Sequence, residues 1–197
     1  MIGVLPEALT VGDRDYPIRT DYRNVLQVYE VFDDPEFEIG EQWIISIYLL
    51  FTDFKCVEDV EDAYANGFDV NEAAAQMNWF LSVGRTGKKD TEKPVYSWVQ
   101  DEQMIFAAVN AVAGKEVREE NYMHWWTFSG YMSEIGEDTL TFIVGIRDKL
   151  NRGKKLENHE REFYQRNKEL VDIRKPKSRK ELQEEAAYEA YLTEYLG

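Results

Sequence analysis

Tyr122-Met123-His124-Trp125-Trp126-Thr127-Phe128, running on through Ser129-Gly130-Tyr131-Met132-Ser133-Glu134-Ile135-Gly136, places four aromatics within seven residues. At about 100° per residue, Tyr122, Trp125, Trp126, Phe128, Met132 and Ile135 cover most of a helix circumference. A helix that is apolar nearly all round is either a buried central helix or one that binds a partner. Met123, Thr127, Gly130 and Glu134 share the only sector left for water. The segment therefore predicts a mainly helical protein built around an aromatic centre.

The flanking sequence extends that reading. Ala8-Leu9-Thr10-Val11, Gly12-Asp13 and Arg14-Asp15-Tyr16-Pro17-Ile18 alternate like a two-stranded ribbon, a hairpin over 8–18. Pro17 puts the second strand at an edge or an end. Such a hairpin is marginal alone and must lie on another element. Helical spacing follows in Tyr22, Val25, Leu26, Tyr29 and Phe32, stopped by Asp33-Asp34-Pro35. Trp43, Ile44, Ile47, Tyr48 and Phe51 form the next stripe. Val57–Ala65 is a short acidic helix ended by Asn66-Gly67. Asp69 with Glu72 predicts a capping box for Val70, Ala73, Ala74, Met77 and Leu81. Residues 84–94 have no periodicity and read as a loop. Ser97 with Gln100 predicts a second box, ahead of Met104, Ile105, Ala108, Val109 and Val112. Asp138 predicts the cap of a helix carrying Leu140, Ile143, Val144 and Leu150. Residues 157–170 read as one charged helix, with Phe163, Tyr164 and Leu170 as its apolar face. Ser178 with Glu181 opens a terminal amphipathic helix.

The fold class is thus mainly α, a compact helical domain of about eight helices with a small N-terminal β-hairpin. Residues 1–173 form the domain, 174–177 a linker and 178–197 a C-terminal helix.

Charge bounds the function. The chain of 197 residues has a net charge of −15. Non-specific nucleic-acid binding needs the opposite sign, as does attraction to anionic lipid. The charge is uneven, at −17 over 1–146, +7 over 147–180 and −5 over 181–197. The basic band predicts internal docking, an acidic partner or a solvated helix face. Cys56 is the single cysteine, so an intrachain disulfide is impossible. Met1–Thr10 lacks the pattern of a signal peptide, and the longest apolar run, 43–51, is about half a membrane span. These features predict a cytoplasmic protein.

No catalytic pattern emerges. His124 and His159 do not form a zinc motif, and phosphate-loop, dinucleotide and nucleophile-elbow glycine patterns are missing from the sequence. His124 reads as a structural histidine bonded to backbone. We expect no enzyme activity, no cofactor and no metal. Binding remains. Candidate contact residues are Trp98, Tyr122, Trp125, Trp126 and Phe128 in the body and Tyr188, Tyr191 and Tyr195 on the terminal helix. For any single ring core packing is the stronger reading, while the terminal helix reads equally well as docked on the chain's own body.

Three segments together resemble a known family. They are Tyr96-Ser97-Trp98-Val99-Gln100-Asp101-Glu102-Gln103-Met104-Ile105-Phe106 with 112–118, His124-Trp125-Trp126-Thr127-Phe128 with 134–137, and Gly153-Lys154-Lys155-Leu156-Glu157 with Glu160-Arg161-Glu162-Phe163-Tyr164 and Asn167. Leu5-Pro6 and Tyr16-Pro17-Ile18 fit as well. The chain resembles the bacteriophage family named after gene product fifteen, of tailed phages and prophages of Gram-positive bacteria. The resemblance implies a tail assembly chaperone of siphophages. Such a protein binds the tape measure protein, with the tail tube protein and a second tail assembly chaperone as further candidate partners. It acts in the host bacterial cytoplasm and is absent from the mature virion. The resemblance brings no catalytic residues. The alternative from composition is an acidic decoy or inhibitor that binds a host nucleic-acid-binding protein; the basic band at 147–180 interrupts the acidic face it would need.

Overall fold

A computed structural model describes residues 3–85, 93–174 and 176–196, with backbone alone for residues 189 and 193–196. Most of the predicted loop at 84–94 lies outside the described residues. The N-terminal hairpin pairs β1 (Ala8–Val11) with β2 (Arg14–Pro17), Leu9 opposite Tyr16. Gly12 adopts a φ of 64° at its turn, a conformation cheap only for glycine. Pro17 ends the second strand, where its missing N–H costs nothing. Leu9 and Val11 are buried against helix α4 (Val70–Leu81), so the marginal ribbon does borrow a partner. Asp69 caps α4 by accepting from the Asn71 and Glu72 backbone N–H groups. Glu72 does not close the predicted box. Its carboxylate accepts from the Gly12 N–H at 2.7 Å and pins the hairpin instead.

Ten α-helices are present among the described residues. Helix α1 (Tyr22–Asp33), capped by Asp21, packs on α2 (Ile39–Leu50), which in turn meets α3 (Val57–Ala65) and α4. The predicted stop at Asn66-Gly67 holds: Gly67 has a φ of 97°. Helix α5 (Glu102–Ala113) ends at Gly114 in the left-handed conformation. A 3-10 turn (Val117–Glu119) leads to α6 (Trp125–Ser133), followed by α7 (Thr139–Asn151), capped by Asp138 as predicted. The charged stretch after Gly153 is two helices, α8 (Asn158–Arg166) and α9 (Lys168–Val171), broken at Asn167, which accounts for part of the excess over eight. Helix α10 (Arg179–Leu196) begins at the reciprocal Ser178–Glu181 bonds that its sequence predicted.

The large core gathers α1 to α6, the hairpin and the start of α7 through Leu140 and Val144. A small second cluster, Ile146, Leu156 and Val171 with Phe142, Phe163 and Tyr164, sits between α7, α8 and α9. Arg147 and Asp101 join the two. Both are buried, and the guanidinium meets the carboxylate through two bonds of 2.5 and 3.0 Å. The same guanidinium donates to the carbonyls of Val95, Leu170 and Val171. Asp101 also accepts from the Ser97 N–H. A buried pair survives only when its remaining donors and acceptors are met, and here they are. Gln100, predicted to complete a capping box, sends its amide to the Asp172 carbonyl and accepts from the Arg174 N–H. Leu150 and Leu170, expected in apolar stripes, are exposed. Val171 and the Arg147 stem take the inner positions.

Candidate partner-binding surface

The aromatic segment is split by its own histidine. His124 is the N-cap of α6: Nδ1 accepts from the Trp126 N–H at 3.0 Å, so Nε2 carries the proton and donates to the Pro6 carbonyl. This is the backbone-bonded structural histidine that the sequence predicts. It also explains a displaced pair. Tyr122 and Met123 lie before the helix, and their sides are reversed. Met123, expected to face water, is buried, whereas Tyr122 is 56% exposed with its hydroxyl bonded to Thr20 at 2.7 Å. The Thr20 carbonyl accepts from the Trp125 N–H, and the Tyr22 N–H donates to Met123, tying this segment to the start of α1.

Trp125 is 3% exposed and Phe128 is fully buried. Phe128 stacks on Tyr22 with ring centroids 4.4 Å apart. The two indoles act on α4: Trp125 Nε1 donates to Leu81 and Trp126 Nε1 to Phe80, at 3.0 and 2.9 Å. They bond to carbonyls of the last turn, where the Phe80 carbonyl also accepts from the Val83 N–H. Trp126, half-buried, also meets Trp79 edge to face at 5.4 Å. Trp98 is half-buried, stacked on Tyr29 and edge-on to Tyr96. Burial, with Tyr96 nearby, pushes the Tyr29 hydroxyl far above its ordinary range. Trp125 and Phe128 thus belong to the core, and Trp98 and Trp126 border it.

The terminal helix differs. Leu182, Tyr188 and Tyr191 are exposed, Tyr188 by 62%. The side chain of Tyr195 lies outside the described residues. The root of the helix is held against the body by the Arg179 N–H on Glu36, and a Lys177–Glu185 ion pair ties the linker to its first turns.

One feature of the surface has no mark in the local sequence. A groove of about 790 Å3 opens between the end of α1, the 94–100 segment and the 173–177 segment. Tyr96 and Val99, inside one of the family-like segments, lie on it, but only the fold brings them to Asp33 and Pro176. Among the described residues no group of three or more His, Cys, Asp or Glu is placed to hold a metal ion. No described helix is long and apolar enough to cross a membrane.

A family model described as bacteriophage Gp15 protein matches residues 1–173. The chain belongs to the bacteriophage Gp15 family. No curated protein and no solved structure gives a match. The Gp15 match takes in the hairpin, both apolar clusters, the His124–Phe128 segment and most of the groove. It stops before α10, so Tyr188, Tyr191 and Tyr195 lie beyond the matched residues. This is a phage protein, and its Gp15 character resides in the body.

Proposed function

We propose that this phage protein is a non-catalytic tail assembly chaperone that binds the tape measure protein and promotes tail tube assembly. Membership of the Gp15 family over residues 1–173 carries the reading. Its physics is consistent. A long helical client with apolar faces needs an acceptor that is itself strongly charged, and the net charge of −15 keeps such an acceptor dispersed. An exposed Tyr-bearing helix and an apolar groove offer reversible contact area without opening the core. In this reading the protein acts in the host cytoplasm, alone or with a second chaperone. It hands the client to tail tube subunits and leaves before the virion is complete.

Co-expression with the tape measure protein of the same phage tests this. The expected result is a tape measure protein that turns soluble and co-purifies with this chain. A client that stays insoluble and unbound, with and without the tail tube protein and the second chaperone, overturns it. Capture of a host nucleic-acid-binding protein in the same cells would instead support the acidic decoy.

A further inference from the structure

The groove has two unlike walls. Pro35, Tyr96, Val99 and Pro176 give it an apolar lining. Glu30, Asp33 and Asp34 stand together at the end of α1. The C-terminus of a helix carries the negative end of its dipole and favours cations. Helix α1 has no basic residue in its last turn, which carries Glu30 and Asp33, and its C-cap is Asp34. Among the described residues none of the three is in an ion pair. The described cations at the groove, Arg174 and Lys177, pair with Glu169 and Glu185. Desolvation raises the Asp33 carboxyl above its ordinary range, a sign that its charge is poorly compensated. A volume of about 790 Å3 accommodates a peptide segment.

We propose that this groove receives a segment of a partner protein in which a Lys or Arg stands beside apolar side chains. The cation sits against Glu30, Asp33 and Asp34, and its apolar neighbours lie on Tyr96 and Val99. The charge of the α1 wall excludes an acidic segment and a nucleic acid. The inference deepens the chaperone reading by naming the chemistry of the client segment, and it rests on that reading only for the partner's source.

The test uses the full-length protein and two sets of probes. One is a series of short overlapping peptides covering the tape measure protein. The other is an amphipathic Lys/Leu peptide with its Glu/Leu counterpart. Three variants are compared after their melting curves are matched to the parent: Glu30→Gln with Asp33→Asn and Asp34→Asn; Val99→Ser; and a charge-matched control, Glu61→Gln with Asp62→Asn and Glu137→Gln. The expected result is that the bound peptides carry Lys or Arg beside apolar residues. The groove triple variant should weaken their binding roughly tenfold or more, Val99→Ser should weaken it measurably, and the control should change it by less than about twofold. Equal weakening by the control and the groove variant would reduce the effect to net charge and overturn the proposal. So would failure of both the tape measure and Lys/Leu peptides to bind. Groove-dependent binding of the Lys/Leu peptide alone would uphold the groove and remove the tape measure protein as its client. Tape measure peptides indifferent to the groove variant would do the reverse.

Discussion

Two stretches rich in aromatic residues, 122–128 and 188–195, have opposite surroundings. In the first, Trp125 and Phe128 are buried, and both indoles bond to the carbonyl end of α4. In the second, Tyr188 and Tyr191 are exposed on a helix whose root is bonded to Glu36. Ring content is therefore a poor guide to binding. Position decides: the first stretch contains the cap of α6 and lies across α1, α4 and α5, while the second belongs to a helix that follows a charged linker. The body supplies rigidity, and the exposed groove and helix supply contact area.

The largest expected effect comes from opening the buried stretch. Trp125→Ala removes a core ring and a carbonyl partner and should cost about 3–5 kcal/mol in denaturant unfolding. A loss under about 1 kcal/mol would mean that the ring is not core, and the contrast between the two stretches would collapse. Asp101→Ala should cost a similar amount, about 3–5 kcal/mol, because it leaves Arg147 buried without its counter-charge. Arg147→Lys should fail to restore stability. An ammonium cannot make the fork to Asp101 while reaching the carbonyls of Val95, Leu170 and Val171. Because those carbonyls anchor the 94–100 and 170–174 segments, hydrogen exchange in both should rise.

A smaller effect of opposite sign is expected at the end of α4. Val83 has a φ of 59°, a strained setting for a β-branched residue. Val83→Gly should stabilise the protein by up to about 1 kcal/mol. Gly84→Ala should destabilise it, since a Cβ there would lie 3.1 Å from the Trp126 ring and the residue has a φ of 72°. Smallest of all, Tyr188→Ala should change stability by less than about 0.5 kcal/mol while weakening client binding. Calorimetry and pull-down measure the two effects separately.

Much of the fold was legible in the chain because its signals are local. Asp69, Asp138 and the Ser178–Glu181 pair mark helix starts through bonds spanning two or three residues. Asn66-Gly67 and Gly114 mark helix ends through backbone freedom. The hairpin needed only alternation and a turn glycine. What periodicity missed is non-local or ambiguous. Nothing in the 3.6-residue pattern tells that His124 caps α6 and so releases Tyr122 and Met123 from the helix. Glu72 serves the hairpin turn 60 residues away instead of closing a box on its own helix. Arg147 sits within an apolar stripe, and only the fold reveals Asp101 as its partner. The candidate site was less legible for the same reason. Rings can be counted in a sequence, but their exposure depends on what packs over them, and the groove is assembled from three distant segments.

The most direct test is hydrogen exchange of the free protein and of its complex with the tape measure protein. The account predicts new protection at 94–100, 173–177 and 178–196, with 122–128 equally protected in both states. Gain of protection confined to 122–128, with the groove and the terminal helix unchanged, would contradict it.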